Sequence, residues 1–389
     1  MAGYAHITPN VLKWARESAR ISVESAASKV SVSAERLLYW EEGKSKPTIR
    51  QAQELAKAYR RPFALFFLPE IPNDFQPLQD FRKRGSKSLS TASVFIIREI
   101  QQKQSWISEL KEENNELKVP FVGRFSLEDN PIVVAEDILS TLDINPLHYK
   151  QHSPIKEWID KTESKGVFIS RTSFIHSRLT LDSSEIQGFA ISSEYAPFIF
   201  INSRDWGSAQ LFTLMHELAH IWIAQTGISN SIESINAFKD VNHPVEAFCN
   251  EVAANALIPL IYITELRNHT ITSELIYRYS SKLGISSYAF LIRALKLNLI
   301  TLDEYASLKA EAEAGFQEYL MKEKEKKAKQ KEKDGGPNPY LLRLNKNGRL
   351  FTQIVLDAYK GGFVEPNIAS YLLNTPTNKF PKLEAQLYK

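Results

Sequence analysis

Two histidines four residues apart, with a glutamate directly after the first, are the side chains of this sequence best placed to do chemistry. They are His216, Glu217 and His220, within LMHELAHIWI at 214–223. Residues four apart lie on one face of an α-helix, so both imidazoles can point at one ion. Zinc accepts imidazole nitrogen at about 2.0–2.1 Å and prefers tetrahedral sites. Glu217 lies about 100° further round the helix, where its carboxylate can accept a proton from a water that zinc activates. The spacing therefore predicts metal-assisted hydrolysis by an H-E-x-x-H arrangement.

The alternative interpretation is an ordinary helix that happens to carry two histidines. With the histidine and glutamate content of this chain, chance would produce the motif in roughly one such sequence in a hundred. The neighbouring residues are apolar almost all round the helix, which predicts that it is buried; they are Leu211, Phe212, Leu214, Met215, Leu218, Ile221, Trp222 and Ile223. Histidines on a buried helix need partners, and a metal ion supplies one. We therefore predict Zn²⁺ at His216 and His220, with Glu217 as general base.

A third protein ligand is expected on the next helix, HPVEAFCNEVAANALIP at 243–259. This helix offers Glu246 and Glu251, which lie about 140° apart round its axis, so the two carboxylates are not expected to face one ion. Cys249 lies between them, and we interpret its thiol as a small packing residue, with a thiolate ligand as the alternative. His243, at the start of the helix, is the nearest candidate for an oxyanion partner, the alternative being a solvent-exposed histidine near the helix cap.

The composition is that of a chain with sizeable cores and no membrane-spanning segment. Its 389 residues, 43% of them hydrophobic, favour two or three domains. The apolar runs at 63–68 and 197–201 are far shorter than the roughly 18–20 residues that cross a bilayer. The N-terminus lacks the pattern of a signal peptide, and one cysteine excludes an internal disulfide, so we expect a cytoplasmic protein without membrane contact. The net charge of +3 is too small to decide whether the whole chain binds nucleic acid.

The first 66 residues are mildly basic and have an all-helical pattern. They carry eleven Lys and Arg against six Glu, a balance of +5 that is compatible with a phosphate-facing surface. Ser22 and Ser33 can cap two short helices joined by the tight turn SVS at 31–33, and Thr48 with Gln51 forms a capping box for a further helix. Two short helices joined in this way are typical of a helix-turn-helix.

This segment resembles the Xre/Cro-type helix-turn-helix family in the order and spacing of its helices and in the phrase YWEEGKSKPT. The resemblance covers about 60 residues and implies binding to double-stranded DNA. Glu35 would be repelled by phosphates but could accept a hydrogen bond from a cytosine amine. The alternative is a helical module that docks another protein. Carried over by position, the resemblance places the DNA-reading residues at the start of the second short helix, at Ser33, Ala34, Glu35 and Arg36, with Tyr39 one turn further on.

The middle of the chain is predicted to be a linker, then helices, then a small sheet. Residues 71–90 show no clear periodicity, and helical patterns follow at 91–113, 133–144 and 153–166. Val, Ile and Phe are frequent in three short segments that predict strands, the last two joined as a hairpin: VFIS at 167–170, IQGFAIS at 186–192 and PFIFINS at 197–203. The last strand is a candidate edge for pairing with an extended substrate, the alternative being an internal strand.

These elements together resemble the ImmA/IrrE-type metallopeptidases over about 130–300: a strand pair, a buried H-E-x-x-H helix, a loop, then E-x-x-C-N, A-A and L-I-P. The resemblance implies zinc-dependent cleavage of a repressor protein, which relieves transcriptional repression after stress or in mobile elements. It implies Glu246, which opens E-x-x-C-N, rather than Glu251 as the third ligand beside His216 and His220, with Glu217 as general base. The polar loop 226–243 and the residues Phe248 and Cys249 depart from the family pattern. These departures leave the implied chemistry intact, but the family's choice of substrate does not carry over with it.

The predicted fold is mostly α with a small β-sheet (α+β). It consists of an all-helical N-terminal helix-turn-helix domain, a zincin-like metallopeptidase domain and helical C-terminal parts. The expected boundaries are 1–70 for the helix-turn-helix, 71–130 for a linker and helical connection, 131–270 for the peptidase, 271–320 for a helical buttress (alternatively a winged-helix-like unit), 321–339 for a charged linker and 340–389 for a small helical domain.

A rival interpretation comes from another functional class. The chain could be a DNA-binding regulator or antitoxin whose zinc only holds structure. A structural site fills all four positions with protein ligands, whereas this sequence offers three obvious ligands and a base, which favours the enzyme.

Overall fold

The computed structural model describes residues 3–73, 78–81, 88–150, 153–176, 179–229, 243–266, 269–331 and 338–389. The chain divides into two compact units. The first comprises Met1–Pro77, Lys87–Gln101 and Phe174–Thr180; the second comprises Leu78–Ser86, Gln102–Ser173 and Leu181–Lys389.

Helices dominate, and the predicted α+β class is confirmed. In chain order the helices are α1 (Pro9–Ser18), α2 (Val23–Lys29), α3 (Ala34–Glu41), α4 (Ile49–Tyr59), α5 (Thr91–Glu113), α6 (Pro131–Leu142), α7 (Pro154–Ser164), α8 (Gly207–Trp222), α9 (Pro244–Leu257), α10 (Leu260–Glu265), α11 (Ser273–Leu283), α12 (Ser287–Lys296), α13 (Leu302–Lys331), α14 (Pro339–Asn347), α15 (Arg349–Lys360), α16 (Pro366–Leu372) and α17 (Phe380–Leu387). The strands are β1 (Gln79–Asp80), β2 (Phe168–Thr172), β3 (Phe174–His176), β4 (Leu179–Thr180), β5 (Gly188–Ile191), β6 (Phe198–Asn202) and β7 (Gly227–Ser229).

In the first unit, α2, α3 and α4 begin at the caps that the sequence predicts. The Ser22 side chain caps α2 by accepting from the Ser25 backbone, and Ser33 caps α3 in the same way. Thr48 and Gln51 form the capping box of α4. These caps satisfy backbone N–H groups that a helix leaves without an intrahelical partner. Between α2 and α3 the chain turns through a residue with positive φ, Ser31 at 55°, which gives the compact helix-turn-helix connection.

A buried ion pair joins α1 to α3 in this unit. The Arg16 guanidinium donates to both carboxylate oxygens of Glu41, at 2.7 and 2.9 Å. The Arg16 side chain is 9% exposed and that of Glu41 is 1% exposed. Removing one partner of such a pair would leave a buried charge uncompensated. The pair therefore fixes α3 against the core. Because the charges of Arg16 and Glu41 are opposite, the pair adds nothing to the net positive charge of this segment.

The second unit is built round a five-stranded sheet in the order β1-β7-β5-β6-β2. β5 and β6 form the predicted antiparallel hairpin, with Phe189 opposite Phe200. β6 runs parallel to β2 on its other side. The strand PFIFIN is therefore internal, and its suggested role as a substrate-pairing edge is wrong. β7 pairs antiparallel with β5, and the short β1 pairs parallel with β7.

One continuous apolar core lies beneath this sheet and round α8. It includes residues from α6, α8 and α9, with Val134, Leu214 and Val252 each fully buried. The helices that follow α9 pack into the same core, for example through Ile276 and Phe290. Within 269–331 the structure contains helices and no strand that could serve as a wing, which favours the buttress over the winged-helix alternative.

The C-terminal helices attach to the outer strand β2. The Ser170 hydroxyl donates to the Lys346 carbonyl at 2.6 Å. At Gly348, whose φ is +86°, an added Cβ would lie 2.4 Å from the Ile169 carbonyl oxygen, so only glycine allows this close approach. The Glu163 carboxylate accepts from the Leu350 backbone at 3.2 Å and so caps α15 from outside the helix.

Among the described residues, no helix is both long enough and apolar enough to span a bilayer.

Candidate metal centre

Three buried side chains converge between α8 and α9. His216 and His220 come from α8, and Glu246 comes from the first turn of α9. The Nε2 atoms of the two histidines are 3.1 Å apart. Glu246 places Oε1 at 3.1 Å from His220 Nε2 and Oε2 at 3.4 Å from His216 Nε2. Within the described part of the chain this is the group of His, Cys, Asp and Glu side chains whose ligand atoms lie close enough to share a metal ion.

The local sequence explains why these side chains meet. α8 is apolar on nearly every face, so it is buried, with its two histidines completely inaccessible to solvent. The four-residue spacing puts both imidazoles on the face of α8 that packs against α9. Pro244 occupies the first turn of α9, where its missing N–H costs nothing. The third ligand therefore enters from a helix whose start is defined by its own sequence.

The spacing of the donor atoms fits a tetrahedral ion. Ligands that bind zinc at about 2.0–2.1 Å lie roughly 3.3 Å from one another. The three contacts between His216, His220 and Glu246 span 3.1 to 3.4 Å, with Glu246 meeting His220 through Oε1 and His216 through Oε2. Two imidazole nitrogens and one carboxylate oxygen are also a donor set that zinc accepts. The residues thus fit a metal of this kind.

The electrostatics keep the carboxylate ionised inside the core. Burial alone would raise the pKa of Glu246, but the charge and hydrogen bonds of His216 and His220 outweigh it and lower the pKa to about 2. Burial lowers the pKa of His220. For His216, the same effect of burial is overcome by the negative charge of Glu246, which raises its pKa. The site therefore holds one buried negative charge directed at two imidazoles, as a cation site requires.

Asn250 orients the first histidine. Its side-chain oxygen lies 3.0 Å from His216 Nδ1. Because an amide oxygen can only accept, Nδ1 carries the proton and donates. The lone pair of the neutral imidazole is then on Nε2, the atom that faces His220 and Glu246. Such outer hydrogen bonds fix the tautomer and ring orientation of a metal-binding histidine.

Glu217 is buried beside this group, and a glycine makes room for it. A Cβ added to Gly188 of β5 would lie 2.9 Å from Glu217 Oε1, 2.5 Å from Thr213 Cγ2 and 3.1 Å from the Phe200 carbonyl oxygen. Contacts below 3.0 Å require something to move, so the sheet accommodates the carboxylate only because position 188 lacks a side chain. Glu217 itself is inaccessible to solvent.

The two other candidates on α9 are less suited to join the histidines. Glu251 pairs with Lys296 and lies 3.6 Å from Arg293, so it faces α12 and not the histidines. Cys249 is completely buried. Burial, together with the charges of Glu246 and Glu217, raises the pKa of the Cys249 thiol well above its ordinary value, which disfavours a thiolate. The geometry favours Glu246 over both as a partner of the histidines.

Two aromatic side chains border the cluster. His243 is exposed at the N-cap of α9. Phe81, directly after β1, is 4% exposed and stacks on His220 with ring centres 5.4 Å apart and 13° between the planes. The Phe81 and His243 rings are 4.9 Å apart. The rest of the polar loop, 230–242, lies outside the described residues.

The residues predicted to read DNA lie at the exposed start of α3. Ser33 and Arg36 are exposed, Ala34 and Tyr39 half-buried. The Tyr39 hydroxyl donates to Glu35 at 2.7 Å, so these two side chains are tied to one another. The Ser33 hydroxyl oxygen is engaged in the cap. Arg36 remains as the exposed cation of this set, and its contact with DNA is a proposal.

Sequence reasoning missed Gly188 and Phe81. An isolated glycine inside the strand pattern IQGFAIS was a usable signal, because such glycines often mark a close approach of other atoms. Phe81 carried no signal, since its position depends on pairing between segments far apart in the chain.

Comparison with known families agrees with this geometry. Residues 163–295 match the peptidase family model described as the IrrE N-terminal-like domain. Residues 12–66 match the model described as helix-turn-helix. No match was found among curated proteins. α8 and α9, with the three converging side chains, lie inside the first match, and α2 and α3 lie inside the second. The two matches therefore agree with the architecture that the motifs indicate: a helix-turn-helix segment followed by a segment similar to the ImmA/IrrE-type peptidases.

Proposed function

We propose that this chain is a zinc-dependent endopeptidase that cleaves a transcriptional repressor or a similar regulatory protein and so relieves repression. The observation that carries the proposal is the convergence of His216, His220 and Glu246 in a buried group. The match of the same segment to a peptidase family supports a protein as the substrate.

Each side chain has a definite task in this proposal. His216, His220 and Glu246 hold the ion, and Asn250 keeps His216 in the required tautomer. A zinc ion there would supply Lewis acidity towards water and the scissile carbonyl. Glu217 takes the proton of the attacking water and later delivers it to the leaving amine nitrogen. His243, at the border of the cluster, is the candidate donor to the carbonyl oxygen as negative charge develops on it.

The rival function is a DNA-binding regulator or antitoxin with a purely structural metal. A structural zinc site closes all four positions with protein ligands. The described residues bring three such ligands together, and a second buried carboxylate, that of Glu217, lies close to Gly188 of β5. This arrangement favours hydrolysis over a closed structural site.

The helix-turn-helix domain extends the proposal to DNA. Its match supports binding of double-stranded DNA through the exposed start of α3. The domain would bring the peptidase to the regulated gene, while docking to a partner protein is the alternative. The single buried cysteine supports a cytoplasmic location within the same proposal. The proposal also includes the domain ranges expected from the sequence, from 1–70 to 340–389.

The decisive experiment replaces Glu217 by Gln and co-expresses the chain with repressors encoded by neighbouring genes. Glutamine keeps the size of the side chain but cannot accept the proton. We expect the variant to retain zinc and fold while cleavage falls by roughly 10²–10⁴-fold. Glu251→Gln, which changes an acid on α9 that faces away, is the matched control and should cleave like the wild type. If Glu217→Gln still relieves repression, and His216→Ala fails only by unfolding, the zinc is structural and the protein acts as a binder.

A further inference from the structure

The segment after the helix-turn-helix adds a strand to the peptidase sheet. Gln79 and Asp80 pair in parallel with Gly227 and Ile228 of β7. The Phe81 backbone N–H extends the pairing by donating to the Ile228 carbonyl at 3.1 Å. β1 thus occupies the edge of β7 that would otherwise present unpaired backbone groups. Its end lies at the candidate metal centre, because the next residue stacks on His220.

Phe81 fills a slot whose floor is a glycine. A Cβ added at Gly227 would lie 2.1 and 2.3 Å from two atoms of the Phe81 ring. The ring is nearly parallel to the His220 imidazole and tilted by 42° from that of His243. A flat aromatic side chain is therefore held between a glycine backbone and two imidazoles. The slot is shaped for a planar ring and does not accept a side chain on its floor.

We propose that the edge of β7 is the docking strand for an extended substrate peptide bearing an aromatic side chain, and that residues 78–81 occupy it as an internal stand-in. This inference rests on the proposed function and names the substrate class of the same site. An incoming peptide pairs with Gly227–Ser229 in place of β1, and its aromatic residue takes the slot of Phe81. Main-chain pairing provides the affinity and the slot provides the selectivity, as in other cases of strand addition.

Two features make β1 replaceable. Its pairing is short, consisting of Gln79, Asp80 and the Phe81 N–H, and each backbone hydrogen bond has a small net value because water satisfies the same groups when the strand leaves. Both residues of β1, Gln79 and Asp80, are exposed, whereas Phe81, which follows directly, is buried. Removing the Phe81 ring should therefore free the edge of β7 while leaving the slot intact.

The test measures binding without turnover. A fluorescein-labelled peptide with the sequence of residues 75–84 (FQPLQDFRKR) is titrated against the zinc-loaded full chain carrying Glu217→Gln, and anisotropy is recorded. The control peptide replaces the residue corresponding to Phe81 by alanine and keeps every charge. We compare the chain with Phe81 present, with Phe81→Ala, and with Phe81→Ala combined with Gly227→Ala, which fills the slot floor.

We expect Phe81→Ala to bind the aromatic peptide at least tenfold more tightly than the chain that keeps Phe81. The alanine peptide should gain little, and adding Gly227→Ala should abolish the gain. Zinc content should be equal in all three chains. The inference is overturned if Phe81→Ala gains no affinity or loses its zinc, because Phe81 would then be a permanent wall of the metal centre. Since the assay needs no cleavage, it can fail while the peptidase proposal stands, and it can succeed if that proposal fails.

Discussion

The Asn250 side-chain oxygen accepts a hydrogen bond from Nδ1–H of His216 at 3.0 Å. Asn250 lies one turn after Glu246 on α9, so one helix face supplies both a ligand and the group that orients another ligand. The carboxylate and the amide therefore act on the same imidazole from two sides. This relationship links the packing of α8 on α9 directly to metal affinity.

Asn250→Ala should weaken zinc binding about 10–100-fold, because loss of such an orienting bond typically has that effect. Competition with a chromophoric chelator measures the change. Asn255→Ala is the matched control: this asparagine is on the same helix but accepts from Arg293, so its loss should lower stability and leave zinc affinity unchanged. Equal zinc affinity in the wild type and Asn250→Ala would show that the hydrogen bond does not support the site.

Purified protein should hold about one zinc per chain, as a single three-ligand site requires. His216→Ala, His220→Ala and Glu246→Ala should each lower the zinc content, measured by elemental analysis of folded protein. Glu251→Ala and Cys249→Ala should keep it, because one faces α12 and the other is a buried neutral thiol. If Glu251→Ala lost zinc while Glu246→Ala kept it, the third ligand would be Glu251.

Gly188→Ala should impair hydrolysis without removing the metal ligands. Its methyl group would displace Thr213 and the Glu217 carboxylate, so cleavage should fall by up to the roughly 10²–10⁴-fold that a general base contributes. Overpacking should also lower the free energy of unfolding by about 1–3 kcal/mol. Gly207→Ala, whose added methyl would meet nothing within 4 Å, is the control and should cleave normally. Cleavage rates and zinc content are measured on the same samples. An inactive Gly188→Ala variant that had also lost its zinc would contradict the proposed displacement of Glu217.

Arg36→Ala in the full chain should weaken duplex DNA binding, and the affinity of the wild type should fall steeply with salt. The physical reason is that Arg36 is the exposed cation among the residues predicted to read DNA. Lys382→Ala removes an exposed charge outside the helix-turn-helix and should leave DNA binding unchanged. Gel-shift titrations at several salt concentrations provide the measurement. An absence of salt-dependent binding by the wild type would favour protein docking by this domain.

The attachment of the C-terminal helices should depend on pH through Glu163. Burial raises the pKa of this carboxyl to about 7 from an ordinary value of 4.5, although the backbone N–H groups of Leu350 and Arg349 oppose the rise. The folded chain thus holds a proton that the unfolded chain releases. Its stabilisation is complete below pH 4.5, declines as pH rises, and is lost above about 7.

Glu163→Gln should remove this dependence, since glutamine cannot ionise. Between pH 5 and 8 the melting temperature of the variant should rise relative to the wild type as pH increases, by the equivalent of up to about 3 kcal/mol. Glu311→Gln, at an exposed position, is the control and should follow the wild type at every pH. A constant difference between Glu163→Gln and the wild type across this range would contradict the expected titration.

Local spacing determined much of this protein from the sequence alone. The positions of His216, Glu217 and His220 on one buried helix follow from helical geometry and apolar flanks. The caps at Ser22, Ser33 and Thr48 likewise depend on residues within three positions of one another. Such features are predictable because the interacting groups are close neighbours in the chain.

Tertiary structure decided what depends on distant segments. Helical angles separated Glu246 from Glu251, but only the packing of α9 between α8 and α12 shows which glutamate faces the histidines. From its sequence β6 could be an edge strand, but in the structure β2 pairs with its other side. β1 and Phe81 had no periodic signal, because a strand of two residues forms only through its pairing with β7. Strand order and side-chain convergence arise from long-range pairing, which local propensity does not encode.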